Sequence, residues 1–178
     1  NGEVFEECCT RPILIRDLFT MSSGYSYENT PELEAAFEEF GDAGTTQQFA
    51  AALAKSSLLF EPGTRWRYGY SPDILGALIE RISGMRFGQF LREEIFEPLG
   101  MEDTFFRVPK EKMSRLASAY NYDSVTRQCK KGSFGDSSPG FESGGGGLIS
   151  SMDDYAAFAN CLCNGTAKNG YRLLSRST

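Results

Sequence analysis

Between Glu61 and Phe106 the chain reads EPGTRWRYGYSPDILGALIERISGMRFGQFLREEIFEPLGMEDTFF, an order of signals that leaves few folds open. Pro62-Gly63 sets a turn. Trp66, Tyr68 and Tyr70 then alternate along a short extended piece, so that all three project to one face. Ser71-Pro72-Asp73 reads as a helix start: Ser71 is placed to cap, Pro72 needs no hydrogen-bond partner, and Asp73 complements the helix dipole. Ile74, Leu75, Leu78, Ile79 and Ile82 form the apolar stripe expected to be buried, and Gly84 supplies the stop. Phe87, Phe90, Leu91, Ile95 and Phe96 make a second amphipathic helix, which Pro98-Leu99-Gly100 must end.

The flanking segments follow the same rules. Ile13 to Met21 predicts a helix that stops at Ser22-Ser23-Gly24. Thr30 caps a helix opened by Pro31, with Leu33, Ala36, Phe37 and Phe40 on one face. Thr45-x-x-Gln48 is a capping box that opens a helix running to about Leu59, with Phe49, Ala52, Leu53 and Ser56 on one side. Ser151-x-x-Asp154 opens the last helix, with Met152, Tyr155, Phe158 and Leu162 expected inward. Phe105 to Val108 and Leu116 to Tyr122 are expected as short strands, and Tyr122 to Lys131 as a hairpin turn and its return. The sum is a mainly α (α+β) chain with a small β element, expected to form one domain over residues 1–178.

Composition removes several function classes. Hydrophobic residues at 40% and charged residues at 24% describe a soluble globular protein. No apolar run approaches the ~18–20 residues of a membrane span, and NGEVFEECCT lacks the pattern of a signal peptide. A net charge of −6 with scattered basic residues opposes binding to nucleic acid or to an anionic membrane.

Histidine is absent, which excludes Ser-His-Asp and Cys-His catalysis within the chain and every His-ligated metal site. The five cysteines, at 8, 9, 129, 161 and 163, include no Cys-x-x-Cys pair. They read as reduced structural thiols that slightly favour the cytoplasm, with no metal and no cofactor implied. Asn164-Gly165-Thr166 matches a glycosylation sequon but reads more simply as a helix-ending turn. Gly144 to Gly147 lacks the following Gly-Lys-Ser/Thr of a phosphate cradle. The adjacent acids at Glu38-Glu39, Glu93-Glu94 and Asp153-Asp154 do not face each other on a helix, which argues against a glycosidase.

Three separated blocks carry a family resemblance. Pro62-Gly63, Trp66, Tyr68 and Asp73-Ile74-Leu75-Gly76 match in order and spacing. Arg11-Pro12-Ile13 through Ser22-Ser23-Gly24 forms the second block, and Gly144 through Leu174 the third. The chain thus resembles the middle segment of the serine β-lactamase and penicillin-binding-protein-like hydrolases, closest to their class C and esterase branch. The resemblance implies the helical portion of the β-lactamase/transpeptidase-like fold. It also implies acyl transfer through a serine ester on an ester or amide (β-lactam-like) bond.

In that family the serine of a Ser-x-x-Lys motif attacks a carbonyl, and the lysine with a tyrosine hydroxyl relays the proton. Tyr68 falls at the catalytic tyrosine, and Gly144 and Gly145 fall in the loop that borders the cleft. Tyr70 stands where many β-lactamase relatives carry a substrate-contacting asparagine, a departure that leans toward an esterase or acyltransferase. None of the six lysines lies three residues after a serine, and the family's Lys/His-x-Gly strand is not in the sequence. The expectation is a fragment that is inactive alone. It would require its missing α/β half, or would self-associate, and would act on a small ester or amide only in the complete protein. A non-catalytic binding or interaction module derived from the fold is the alternative.

Overall fold

Helices form where the capping signals lie, but two of them turn a different face inward. The computed structural model describes residues 7–28, 30–40, 44–132 and 140–175, without the side chains at 32, 36, 37 and 40. Described residues up to Phe87, with 140–146, form one compact unit; those from Gly88 to 132, with 147–175, form another.

In the first unit, α1 spans Ile15–Phe19, shorter than the 13–21 expected. Its start is fixed by Asp17, whose buried carboxylate accepts from the Leu14 amide at 2.8 Å and pairs with Arg11 at 2.9 Å. Its end is a Schellman turn: Ser22 N–H donates to Asp17 C=O and Met21 N–H to Leu18 C=O, with Met21 at φ 54°. Helix α2 is Pro31–Phe40; Leu33 is buried, while the rest of its expected stripe lies outside the described side chains.

Helix α3, Thr46–Leu53, opens with the expected reciprocal bonds, Gln48 N–H to Thr45 Oγ1 (3.2 Å) and Thr45 N–H to Gln48 Oε1 (2.9 Å). It ends about six residues before Leu59, because the Lys55 and Ser56 amides tighten onto Ala52 and Leu53 carbonyls. Ser56 is nonetheless buried, its hydroxyl 2.9 Å from that of Thr30. The unit's core is Tyr25, Leu33, Phe49, Ala52 and Leu53, with Ile13, Leu58, Tyr70, Ile74 and Phe141 packed around it.

Helix α4 is Ser71–Ser83, closed by Gly84 at φ 72°. Ser71 is its first helical residue rather than its cap, since the Ser71 hydroxyl is committed to a buried 2.8 Å bond with Ser23. The expected apolar stripe is only half-buried, and Ile82 is 76% exposed. Ser71, Asp73, Gly76 and Ala77 occupy the buried face instead.

The second unit takes in a helical run that passes from α5, Phe87–Leu91, through a π turn at Arg92–Phe96 into α6, Glu97–Leu99. Pro98 sits inside the last turn, and Gly100 (φ 70°) ends it. Proline has no N–H to give the carbonyl four residues back, and that carbonyl, on Glu94, accepts from the Tyr171 hydroxyl at 2.9 Å. Phe105 to Val108 is not a strand: Phe105 makes a single antiparallel bridge with Ile149, and a 3₁₀ turn follows at Lys110–Arg115. The expected hairpin is present as β1, Ala119–Asp123, paired antiparallel with β2, Gln128–Gly132.

Helix α7, Met152–Asn164, is capped by Ser151 Oγ, which accepts from the Asp154 amide at 3.2 Å, and Gly165 (φ 71°) ends it. Met152, Tyr155 and Leu162, expected inward, are 82%, 64% and 46% exposed. Asp154 and Cys161 are buried instead, with Ala157 and Phe158 half-buried beside them. Cys161 joins Phe96, Leu99 and Met101 in this unit's core. Among the described residues no helix is long and apolar enough to cross a membrane.

Candidate functional site

The tyrosine segment is held by a neighbouring strand-like run in the first unit. Arg67 N–H donates to Met21 C=O (2.9 Å), Gly63 N–H to Ser22 C=O (2.7 Å) and Leu59 N–H to Gly24 C=O (3.0 Å). Residues 21–28 and 59–70 therefore lie against each other. At Gly69 the approach is so close that a Cβ would sit 2.5 Å from Ser26 Cα, which explains a glycine between two tyrosines. Beside Tyr68, the Arg67 guanidinium reaches Glu28 at 2.6 Å across the surface.

This pairing brings a third tyrosine to the other two. The Tyr27 ring meets Tyr68 edge-on at 5.4 Å between centroids and Tyr70 at 4.7 Å. Tyr68 is 52% exposed, and Trp66 is more exposed still. Tyr70 is half-buried, its ring also edge-on to Phe49 at 5.1 Å, so it joins the exposed phenols to the hydrophobic core. Tyr27 was not among the residues singled out from sequence. The signal that could have found it is the Gly-Tyr-Ser-Tyr run at 24–27, which alternates as the run at 66–70 does.

Below the phenols lies a buried acid. Asp73, 3% exposed, is the third residue of α4. Its Oδ1 accepts from Ser143 Oγ at 2.5 Å, and Ser143 Oγ accepts from the Gly145 amide at 3.0 Å. The Gly144 and Gly145 amides also favour its ionised form. Gly144 rests on the backbone of α4: a Cβ there would collide with the Pro72 carbonyl. A Cβ on Gly145 would lie 3.2 Å from Asp73 Oδ2 and 3.4 Å from Tyr27 Oη. Tyr68, Tyr70, Gly144 and Gly145, chosen from sequence, thus share one neighbourhood through Tyr27 and Asp73. Residues 133–139 of the expected loop lie outside the described residues.

The electrostatics follow from burial. Desolvation raises the Asp73 carboxyl above the usual aspartate range, with the Ser143 hydroxyl and the glycine amides pulling the other way. Tyr70 is raised by burial and then by the charge of Asp73. Tyr27 is raised by burial, then by Tyr68, with Asp73 adding to it. The arrangement can present the exposed phenols of Tyr27 and Tyr68 to a ligand, with the Asp73 carboxylate and the Gly145 amide engaged behind them. It holds no alcohol with an adjacent lysine of the Ser-x-x-Lys spacing, because the sequence has none.

Comparison with known proteins bears on the same residues. The family model described as Beta-lactamase matches residues 5–178. Protein Rv1367c of Mycobacterium tuberculosis is 33% identical over 169 residues, 93% of this chain and 42% of that protein. The lovastatin esterase of Penicillium rubens is 33% identical over 104 residues, 57% of this chain and 26% of its own. Among solved structures, a mutant of simvastatin synthase from Aspergillus terreus superposes with a TM-score of 0.67 at 26% identity. The match covers 86% of this chain and 38% of that one. The chain therefore spans less than half the length of the relatives it matches.

Proposed function

The chain belongs to the Beta-lactamase family, and on that premise we propose that it is the tyrosine-bearing portion of an acyl-transferring serine hydrolase. The coarser part of this reading, a serine hydrolase-like function, is supported by the family match and by esterase and acyltransferase relatives. The finer part is supported by one observation: Tyr68, which by resemblance stands for the catalytic tyrosine, is half-exposed and its ring meets Tyr27, whose hydroxyl lies over Gly145 of the glycine loop.

In the complete protein, a serine and a lysine from polypeptide outside these 178 residues face Tyr68. The serine oxygen forms a bond to the carbonyl carbon of the substrate while its proton passes to the lysine–tyrosine pair. Collapse of the tetrahedral species breaks the bond to the leaving group, which takes that proton back, and leaves the acyl group on serine. Water or an acceptor alcohol then attacks the acyl carbon, giving its proton to the same pair, and collapse breaks the bond to the serine oxygen, which takes that proton back. An unperturbed phenol titrates near 10, so ionised operation at neutral pH requires a shift of ~3 units, or about 4 kcal/mol of differential interaction. The lysine outside this sequence is the source of that positive charge, and the chain alone is inert.

Tyr70 supports an ester rather than a β-lactam substrate. Its ring is engaged by Tyr27 and Phe49, and its hydroxyl is a phenol where β-lactam-binding relatives offer an amide. The test is turnover of a chromogenic ester and of a chromogenic cephalosporin by the product of the whole reading frame. Ester turnover that falls by at least about 100-fold in Tyr68→Phe is the expected result. Equal turnover by the 178-residue chain alone, or by Tyr68→Phe, would overturn it; tight binding of a ligand with no turnover by the whole product would favour the binding module.

A further inference from the structure

We infer that Asp73 is a positioning residue: through Ser143 and the Gly144–Gly145 amides, its buried carboxylate pins the glycine loop beside the tyrosine cluster that contains Tyr68. The inference rests on the proposed acyl-transfer reading, in which this loop edges the cleft.

An acid at the third position of a helix is usually explained by the helix dipole, but that interaction does not require burial. Asp73 is 3% exposed and forgoes hydration to stay inside. What it gains there is a specific chain of contacts. Its carboxylate accepts from the Ser143 hydroxyl, which accepts in turn from the Gly145 amide, so three groups link the start of α4 to a loop seventy positions later.

The loop has little latitude at that point. The Gly144 backbone lies against the Pro72 carbonyl with no room for a side chain, and Gly145 lies beneath the Tyr27 hydroxyl. Tyr27 meets both Tyr68 and Tyr70. Releasing Asp73 would therefore free the loop, then Tyr27, then one wall of the site around Tyr68.

A second consequence is electrostatic. Burial first raises both Tyr27 and Tyr70, and the nearby charge of Asp73 adds to the rise in each. A carboxylate that only tied down a helix would have no reason to sit among phenols.

Two measurements test the proposal. In the 178-residue chain, hydrogen exchange of the Gly144 and Gly145 amides is followed by NMR in the native protein, Ser143→Ala, Asp73→Ala and Asp73→Asn. Exchange is expected to quicken by at least about tenfold in Ser143→Ala and Asp73→Ala, as for loss of one charge-assisted hydrogen bond, and less in Asp73→Asn. Tyrosine absorbance near 295 nm should show phenols titrating at lower pH in Asp73→Asn but not in Ser143→Ala, because only the first removes the charge.

In the whole-frame product, Ser143→Ala is expected to lower kcat for an ester about tenfold while KM changes less than about threefold. Unchanged exchange in both Ser143→Ala and Asp73→Asn, or an unchanged tyrosine titration in Asp73→Asn, overturns the inference. Unchanged kcat in Ser143→Ala while Tyr68→Phe is inactive also overturns it and leaves the acyl-transfer reading standing. Full activity in Tyr68→Phe sinks that reading, and the exchange measurement then still decides whether Asp73 holds the loop. Ser143→Ala removes one half-buried hydroxyl and keeps the comparison usable should Asp73→Ala fail to fold.

Discussion

Two helices of thirteen residues, α4 in one unit and α7 in the other, each bury an aspartate at the third helical position and use it to hold a distant segment. Asp154 accepts from the Asp103 amide at 2.7 Å and the Thr104 hydroxyl at 2.8 Å. Around it the charges are balanced. Arg115, paired with Asp103 at 2.6 Å, is further stabilised in its charged form by Asp154, and Lys112 reaches Asp103 at 2.7 Å. Asp73 holds glycines instead, and the neighbours whose titration it shifts are phenols. Among the groups that act on Asp73, the ones favouring its charge are a hydroxyl and backbone amides, and burial outweighs them. One device thus fastens a segment among cations in one unit and among phenols in the other. The neighbours, not the acid, separate scaffold from site.

The largest effect that would break this comparison is on stability. Asp154→Ala leaves the half-buried Asp103 amide without its acceptor and the buried Thr104 hydroxyl with Ser150 alone, and should lower stability by about 2 kcal/mol in urea unfolding. Asp73→Ala removes a carboxyl whose charged form is disfavoured by burial, so relief of that penalty offsets part of the lost bonding, and about 1 kcal/mol is expected. Equal losses in the two variants would mean that the acids do the same work.

A smaller effect, but opposite in sign for the two units, is expected with pH. Asp103 in the second unit is lowered to about 2, first by the Arg115 hydrogen bond and then by that of Lys112. Its stabilisation is present above the ordinary aspartate range and is lost as pH falls toward about 2. Asp73 is raised, so the stability tied to it is full below the unfolded value near 3.9 and is lost as pH rises through the folded one. Urea midpoints measured from pH 2 to 6 should therefore diverge. Asp73→Asn gains on the native chain as pH rises, whereas the deficit of Asp103→Asn shrinks as pH falls. Parallel pH curves for the native chain and both variants would remove the electrostatic half of the contrast.

Where each helix begins was largely legible in the sequence, because caps are local chemistry. The Thr45 box, the Ser151 cap, the turn at Gly84 and the hairpin near 122–131 are all present. What was not legible depends on contacts made by distant residues. Ser71 does not cap because Ser23, forty-eight positions away, takes its hydroxyl. At the π turn of 92–96, the carbonyl of Glu94 that Pro98 cannot serve accepts from a tyrosine at 171. Counting apolar residues misplaced the inward faces of α4 and α7, where a buried acid with fixed partners lies on the inward face of each helix. The same blindness hid Tyr27, whose role in the site comes from a pairing of residues 21–28 with 59–70 that no short window contains.

The smallest expected effect tests the inward face of α7 directly. If Asp154 sets the face of α7, Met152 and Tyr155 stand in solvent, and replacing either by serine should change stability by no more than about 0.5 kcal/mol. The apolar-stripe reading demands the reverse, since truncating a buried methionine costs roughly 2–5 kcal/mol through lost burial and the cavity left behind. Urea unfolding of Met152→Ser and Tyr155→Ser separates the two with a wide margin. A loss of 2 kcal/mol or more that depended on protein concentration would point to a third arrangement, in which a second copy covers this face. A loss of that size independent of concentration would place the stripe inside the monomer and remove Asp154 as the residue that orients the helix.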